Sequence, residues 1–463
     1  MNRRLALEQA EVGLVRGAMS VGLARDPHVD RLRYVLSVAR LDVIRNVDDR
    51  DVDVAGPLDR FAGAAADTWV QRLADAPDPR AWRGEVDAWT QRAVALREAV
   101  LEHLPVDAPS FDAEVTTRAL CVASGGGGGA GYVYPGCYEV LDRAGLTPDL
   151  MAGTSIGSLM GLFRARRRRW DMAPLVAAAR RLSWTGVFRA LNAENRYGLP
   201  ATLRLYLRGA LGELFRTDDD SRGLWLSDME IPFLVVVTGI TMDALKHDLS
   251  WYEHLLDDEV ARGGTTAGVR AVFKGLALLR EFASRRDALI ELILGHTPGT
   301  QDFDVLDAAG FSSSIPGIIH YDVIRDDPRM KRLLDDLYAR FGVARLGEGG
   351  IVQNVPARAC WEAVRSGRLG RRNAFVLALD CFAPDPRRPA WFPIQQLVRS
   401  ANVDGDRDYA HLYVPLAKTL SPVHLVPSLR DAMTAIRWGR AQLEPHVPFL
   451  QEMMRPLSVP SAG

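Results

Sequence analysis

Apolar residues recur at the spacing of a helix face through Leu5–Leu23, Leu32–Ile44 and Trp82–Leu104, and Pro/Asp clusters such as DAPDP and VDAPS break the pattern. This predicts an N-terminal helical region over residues 1–113, in which no chemical motif stands out. From 114 onward the texture changes. A strand-like run, Ala119–Ala123, ends in SGGGGGAG, a helical segment covers Tyr132–Ala144, and a short strand at Leu150–Ala152 leads into GTSIGS and another helix. Pro232–Val237 and Phe375–Leu379 read as further strands. Strands separated by helical segments predict an α/β domain over 114–463 with a mainly parallel central sheet. Between Asp243 and Gly295 the pattern becomes strongly amphipathic and helical, which marks 243–295 as an insertion. Two roles stay open for it: a lid making transient membrane-surface contact, or helices packed on the domain's own core. The segment 427–463 is expected to close the domain with a helix over Leu429–Met454.

Composition narrows the class. The chain has 463 residues, 48% hydrophobic and 25% charged, with a formal net charge of −1. These are the values of an ordinary globular protein, and near-neutral charge gives no long-range attraction to nucleic acid. Lysine occurs only at Lys246, Lys274, Lys331 and Lys418, so arginine carries nearly all the basic charge. Cys121, Cys137, Cys360 and Cys381 form no CxxC pair. They read as buried thiols in a reducing compartment, with neither a disulfide frame nor a metal site. The N-terminal stretch shows no continuous apolar signal-peptide core. No uncharged apolar run approaches the roughly 20 residues that span a bilayer. The expected location is cytoplasmic, with peripheral membrane contact allowed.

Two glycine-containing segments carry the candidate chemistry. Gly153-Thr154-Ser155-Ile156-Gly157 matches Gly-x-Ser-x-Gly between an expected strand and an expected helix. There a serine occupies a sharp turn, flanking glycines permit close backbone approach, and the helix N-terminus points its N–H groups toward developing negative charge. The bland alternative is a helix N-cap serine. Upstream, Gly126-x-Gly128-x-x-Gly131 also fits the placement of a dinucleotide-binding loop. That reading needs an acidic residue closing the second strand, and here the nearest acid, Asp149, precedes it. A phosphate-binding Walker loop lacks its Gly-Lys-Ser/Thr, so no nucleotide cofactor is expected. What remains is a concavity of backbone amides able to hold an anion.

A third segment, LGEGGIVQNVPARACWEAV from Leu346, completes a set. With SGGGGGAG, GTSIGS and SSSIPGII at 312–319, it resembles the patatin-like phospholipase family in order and spacing over roughly residues 115–430. The resemblance implies a three-layer α/β/α fold and a Ser–acid dyad without histidine, acting on phospholipids or other acyl esters. It implies Ser155 as nucleophile, Glu348 as its acid, an oxyanion hole at Gly126, Gly127 and Gly128, and supporting roles for Gly131, Gly153, Gly157, Gly349 and Gly350. No cofactor is implied.

Two positions depart from the family pattern. The acid is Glu348 where the family carries aspartate, and the basic position of the glycine loop is Ala130. They keep open an alternative: a catalytically weak patatin-fold module that binds lipid or a partner. His320, just after SSSIPG, and Asp380 are the reserve candidates for a base. The run Arg164–Arg169 lies one helix length from Ser155 and reads as a solvated or partner-facing cluster.

Overall fold

The computed structural model describes residues 2–74, 78–190, 196–199, 201–242, 289–383 and 404–460. Among the described residues the N-terminal region contains five α-helices, α1 (Arg3–Ser20), α2 (Pro27–Ala39), α3 (Ala55–Ala74), α4 (Arg83–His103) and α5 (Ala108–Thr116), and a 3-10 turn at Pro79–Trp82. Their apolar faces form one core around Leu14, Leu32, Phe61, Trp69 and Phe111. Two differences from expectation appear here. The helix expected through Ile44 ends at Ala39, and Val43–Arg45 (β1) pairs antiparallel with Asp51–Asp53 (β2). The boundary expected at 113/114 falls inside α5, because Phe111 and Val115 bury the same helix face.

Next come β3 (Ala119–Ser124), β4 (Leu150–Gly153), β5 (Phe188–Ala190), β6 (Ala201–Leu205), β7 (Phe233–Ile240), β8 (Leu289–Leu294), β9 (Gly317–His320), β10 (Arg345–Gly347), β11 (Ala374–Asp380) and β12 (Leu412–Pro415). Among the described residues the main sheet has seven strands in the order β10-β7-β4-β3-β11-β12, with β8 paired to β7. β7, β4, β3, β11 and β12 run parallel; β8 and β10 are antiparallel. A smaller sheet joins β5, β6 and β9.

Strand residues alternate between two cores, as the period of two requires. Leu120, Val122, Met151, Val235, Val237 and Phe375 face one side, with α6 (Tyr134–Arg143), α7 (Ile156–Ala165) and the helix Leu429–Leu443. Ala119, Cys121, Leu150, Leu234, Val236 and Val376 face the other, with the helix Ala357–Arg365. This is a three-layer α/β/α arrangement with a mostly parallel sheet.

Two expectations need correction. Residues 243–288 of the expected insertion lie outside the described residues, but its last part, Leu289–Leu294, is a strand, not a helix. Val235–Ile240 pairs with it throughout. A short apolar run fits either period, and pairing with a buried neighbour decides it. The C-terminal segment forms two helices, Leu429–Leu443 and Val447–Met454, parted by a 3-10 turn at Glu444–His446. Pro445 lacks the N–H that would continue the first.

Candidate active site

β4 ends at Gly153 and α7 begins at Ile156, so Thr154 and Ser155 make the turn between them. Ser155 sits at φ +52° and ψ −126°, a conformation that serine adopts only under constraint. The constraint is visible. Its N–H donates to Ser312 Oγ at 2.8 Å, and Ser312 in turn donates to Val236 O at 2.7 Å. The Ser158 hydroxyl donates to Ser155 O at 2.5 Å, and Thr154 Oγ1 donates to Gln353 O at 2.9 Å. The flanking glycines are required by contact. A Cβ on Gly157 would lie 2.1 Å from Ser124 O, and one on Gly153 would lie 2.5 Å from Ser158 Cα.

The glycine loop leaves β3 at Ser124 and returns as a 3-10 turn, Gly128–Val133. Most of its amides are occupied. Gly125 N–H donates to Leu379 O, Gly126 to Asn354 O (3.0 Å), and Gly129 to Pro422 O (2.8 Å). Among the described residues, the Gly127 and Gly128 amides have no acceptor. Gly128 adopts φ +54°, and a Cβ there would meet Pro422 O at 2.3 Å. Gly131 packs on the first residue of α7, 2.4 Å from Ile156 Cγ2 were it to carry a Cβ.

Glu348 follows β10. Its N–H donates to Ser314 O at 3.0 Å, and its carbonyl accepts from Thr238 Oγ1 at 2.7 Å. The carboxyl turns toward Ser155. A Cβ on Gly126 would lie 3.3 Å from Ser155 Cβ and 3.7 Å from Glu348 Oε1, so that glycine fills the notch between the two side chains. Glu348 Oε1 would also be 3.3 Å from a Cβ on Gly350, and a Cβ on Gly349 would strike Val236 O at 2.1 Å. Burial pushes the carboxyl pKa up to about 8, opposed by hydrogen bonding from the Ser155 side chain and the Gly350 N–H. Its Oε2 is buried and, among the described residues, has no hydrogen-bond partner.

Ser155, Gly128 and Ser313 stand at the polar end of an apolar cavity. Ile156, Leu159, Met160 and Phe163 line it from one face of α7, and Leu425, Val426, Met433 and Ile436 line it from the C-terminal part. It encloses about 1030 Å³ of empty space, its open mouth included.

The structure thus gathers Ser155, Glu348 and the glycine loop at the carboxyl ends of β3 and β4. It does not bring His320 to them. That ring is buried in the smaller sheet, with Nδ1 on Leu199 O (2.7 Å) and Nε2 toward Arg204 (3.2 Å), and burial pushes its pKa down to about 4. Asp380 is held by the Phe382 N–H and the Tyr413 hydroxyl. The arginine run is only partly solvated. Arg164 is fully buried and donates to Arg167 O and Arg168 O at the end of α7, while Arg167 pairs with Asp218 and Glu230. All four cysteines are buried free thiols. Ser312 and Asn354 lie in the SSSIPGII and LGEGGIVQNVP segments, whose pattern assigns them no role. Only the fold shows that one supports the Ser155 N–H and the other the Gly126 N–H.

The profile of the family described as patatin-like phospholipase matches residues 122–361, more than half of the chain. A lysophospholipase of Aspergillus fumigatus is 36% identical over 66 residues, 14% of this chain and 4% of that protein. A lysophospholipase of Coccidioides immitis is 31% identical over 106 residues, 22% of this chain and 6% of its own length. Patatin-like phospholipase domain-containing protein 6 of Homo sapiens is 28% identical over 132 residues, 28% of this chain and 9% of that protein. The matched segments therefore span less than a tenth of these relatives.

Proposed function

The chain belongs to the patatin-like phospholipase family, and on that footing we propose that it is a serine hydrolase of lipid acyl esters. The supporting observation is the buried serine held at positive φ beside a buried carboxyl, at the head of an apolar cavity. The names of the lysophospholipase relatives favour a phospholipid or lysophospholipid substrate.

In the proposed reaction, Ser155 Oγ attacks the ester carbonyl as Glu348 takes the hydroxyl proton. The Gly127 and Gly128 amides hold the oxyanion. Gly126, whose own N–H is spent on Asn354 O, allows Ser155 and Glu348 to approach. Glu348 then returns the proton to the leaving alcohol. Water, deprotonated by the same carboxylate, hydrolyses the acyl-enzyme and restores the Ser155 hydroxyl. Glutamate replaces aspartate without crowding because Gly126 and Gly350 both face its carboxyl.

Labelling with a fluorophosphonate probe and mapping the modified peptide tests the assignment. Modification at Ser155, with turnover of p-nitrophenyl butyrate lost in Ser155→Ala, is expected. Labelling elsewhere, or more than a tenth of the wild-type rate in Ser155→Ala, overturns it. Absence of both labelling and turnover leaves the non-catalytic lipid-binding module as the better account.

A further inference from the structure

The glycine loop rests on two buried side chains that the proposed reaction leaves without a part. Tyr134, the first residue of α6, is fully buried. Its hydroxyl has one proton to give, and Gly125 O at 2.8 Å is nearer than Leu379 O at 3.3 Å. Leu379 O already accepts the Gly125 N–H. The same hydroxyl accepts the Cys381 N–H at 3.2 Å, which fixes Cys381 just beyond the end of β11. From there the Cys381 thiol donates to Gly126 O at 3.6 Å. Its sulfur lies so close to Gly127 that a Cβ there would come within 2.6 Å of it.

Two consecutive peptides of the loop are fixed in this way. The Gly125–Gly126 peptide is gripped at both ends, its carbonyl by the Tyr134 hydroxyl and its N–H by Asn354 O. The Gly126–Gly127 peptide turns its carbonyl to the Cys381 thiol. In a trans peptide the C=O and N–H point to opposite sides, so this contact aims the Gly127 N–H away from Cys381. The restraint matters because glycine opposes rotation least. Gly127 sits at φ +157° and Gly128 at φ +54°, with no Cβ to hold either backbone in place. A thiol is a weak donor, and the Tyr134 hydroxyl is what secures its backbone.

We propose that Tyr134 and Cys381 are positioning residues for the oxyanion hole, holding the Gly126–Gly127 peptide with its N–H turned to the site. Without them that peptide turns over and presents the Gly126 carbonyl to the developing negative charge. The inference rests on the hydrolase reading for its chemistry and adds the side chains that set the loop.

Tyr138 supplies the control. One turn along α6, its ring stacks on Tyr134 (centroids 6.5 Å apart), and its hydroxyl bonds the Ser124 side chain at 2.8 Å instead of a loop peptide. Tyr134→Phe and Tyr138→Phe each remove one buried hydroxyl and keep the ring. Loss of an oxyanion donor lowers kcat by about 10²–10³-fold. The kcat for p-nitrophenyl butyrate should therefore fall at least tenfold further in Tyr134→Phe than in Tyr138→Phe, with KM little changed. A smaller difference overturns the proposal. If Tyr134→Phe does not fold, the cysteine decides: kcat lost in Cys381→Ala and recovered in Cys381→Ser, whose hydroxyl is the better donor, supports the assignment, and equal kcat in the two overturns it. Amide hydrogen exchange over residues 124–133 separates the inference from the hydrolase reading. Faster exchange there in Tyr134→Phe than in Tyr138→Phe supports it even if the wild type hydrolyses no ester. Equal exchange in both removes it even if Ser155-dependent hydrolysis is found.

Discussion

In the proposed reaction Glu348 is the base. Burial pushes its pKa up to about 8, and a base must be ionised before it accepts a proton. The kcat/KM for an ester substrate should therefore rise with pH and level off above about 8, since this quantity reports the free enzyme. A profile already flat from pH 6 would contradict the assignment. Glu348→Gln should lower kcat by about 10²–10⁴-fold, the usual contribution of general-base assistance. Glu348→Asp shortens an arm for which Gly126 and Gly350 leave room, and a misplacement near 1 Å lowers the rate by about 10²-fold. Wild-type rates in both variants would move the role to another carboxyl. The same pKa has a stability consequence. The folded protein holds this proton more tightly than the unfolded chain does, so stability falls as pH rises from the ordinary carboxylate range toward 8. Glu348→Gln removes that dependence, and its Tm should gain on the wild type between pH 5 and pH 9. Parallel Tm curves would show that the carboxyl is not buried as described.

At the scale of elements, the turn between β4 and α7 is held by groups distant in sequence. Ser312 accepts the Ser155 N–H and donates to Val236 O, tying the helix Val305–Ser312 and β7 to the backbone of the proposed nucleophile. Ser312→Ala removes the acceptor of the buried Ser155 N–H, which should lower stability by about 1–3 kcal/mol and reduce kcat more than it changes KM. Urea denaturation and steady-state kinetics read the two effects; a loss of stability with kcat intact would make Ser312 purely structural. Elements also show where local pattern stops being informative. Ala119–Ser124, Leu150–Gly153 and Ala374–Asp380 are buried at every position, and their apolar runs are unambiguous. Leu289–Leu294 has the same texture as a helix fragment, and only its six-residue register with β7 makes it a strand.

At the scale of the molecule, the N-terminal helices dock on the α/β domain through buried charge as well as through the apolar side chains of Leu5, Val12 and Val15. Burial alone would raise the Glu11 pKa, but Arg118, Arg40 and Arg33 hold it well below the usual range. Glu11 bonds Arg33 at 2.9 Å and Arg40 at 2.7 Å, Arg118 joins from the entrance to β3, and Arg33 reaches Glu452 near the C-terminus. Glu8 adds a second tie, accepting from Trp361 Nε1 at 2.7 Å. Removing one partner of a buried charge cluster typically lowers stability by about 3–5 kcal/mol, so Glu11→Ala should shift the whole unfolding transition, measured calorimetrically, to lower temperature. Deleting residues 1–116 should yield no folded hydrolase. A truncated chain with native-like unfolding and esterase activity would establish the α/β domain as independent.

What the sequence determined by itself was local: the order of glycine loop, serine elbow and acid segment, the buried parallel strands, and the helical character of the first hundred residues. Those features follow from side-chain period and backbone permissiveness, which act over a few neighbours. Only the tertiary structure decided that Gly126 spends its amide on Asn354 while, among the described residues, Gly127 and Gly128 find no acceptor, that His320 is remote, and that β8 is a strand. It alone shows that Glu8 and Glu11, in a helix without a motif, anchor the molecule. Each of these depends on a partner dozens to hundreds of residues away, and a one-dimensional pattern carries no record of which distant group will be there to accept a hydrogen bond or neutralise a charge.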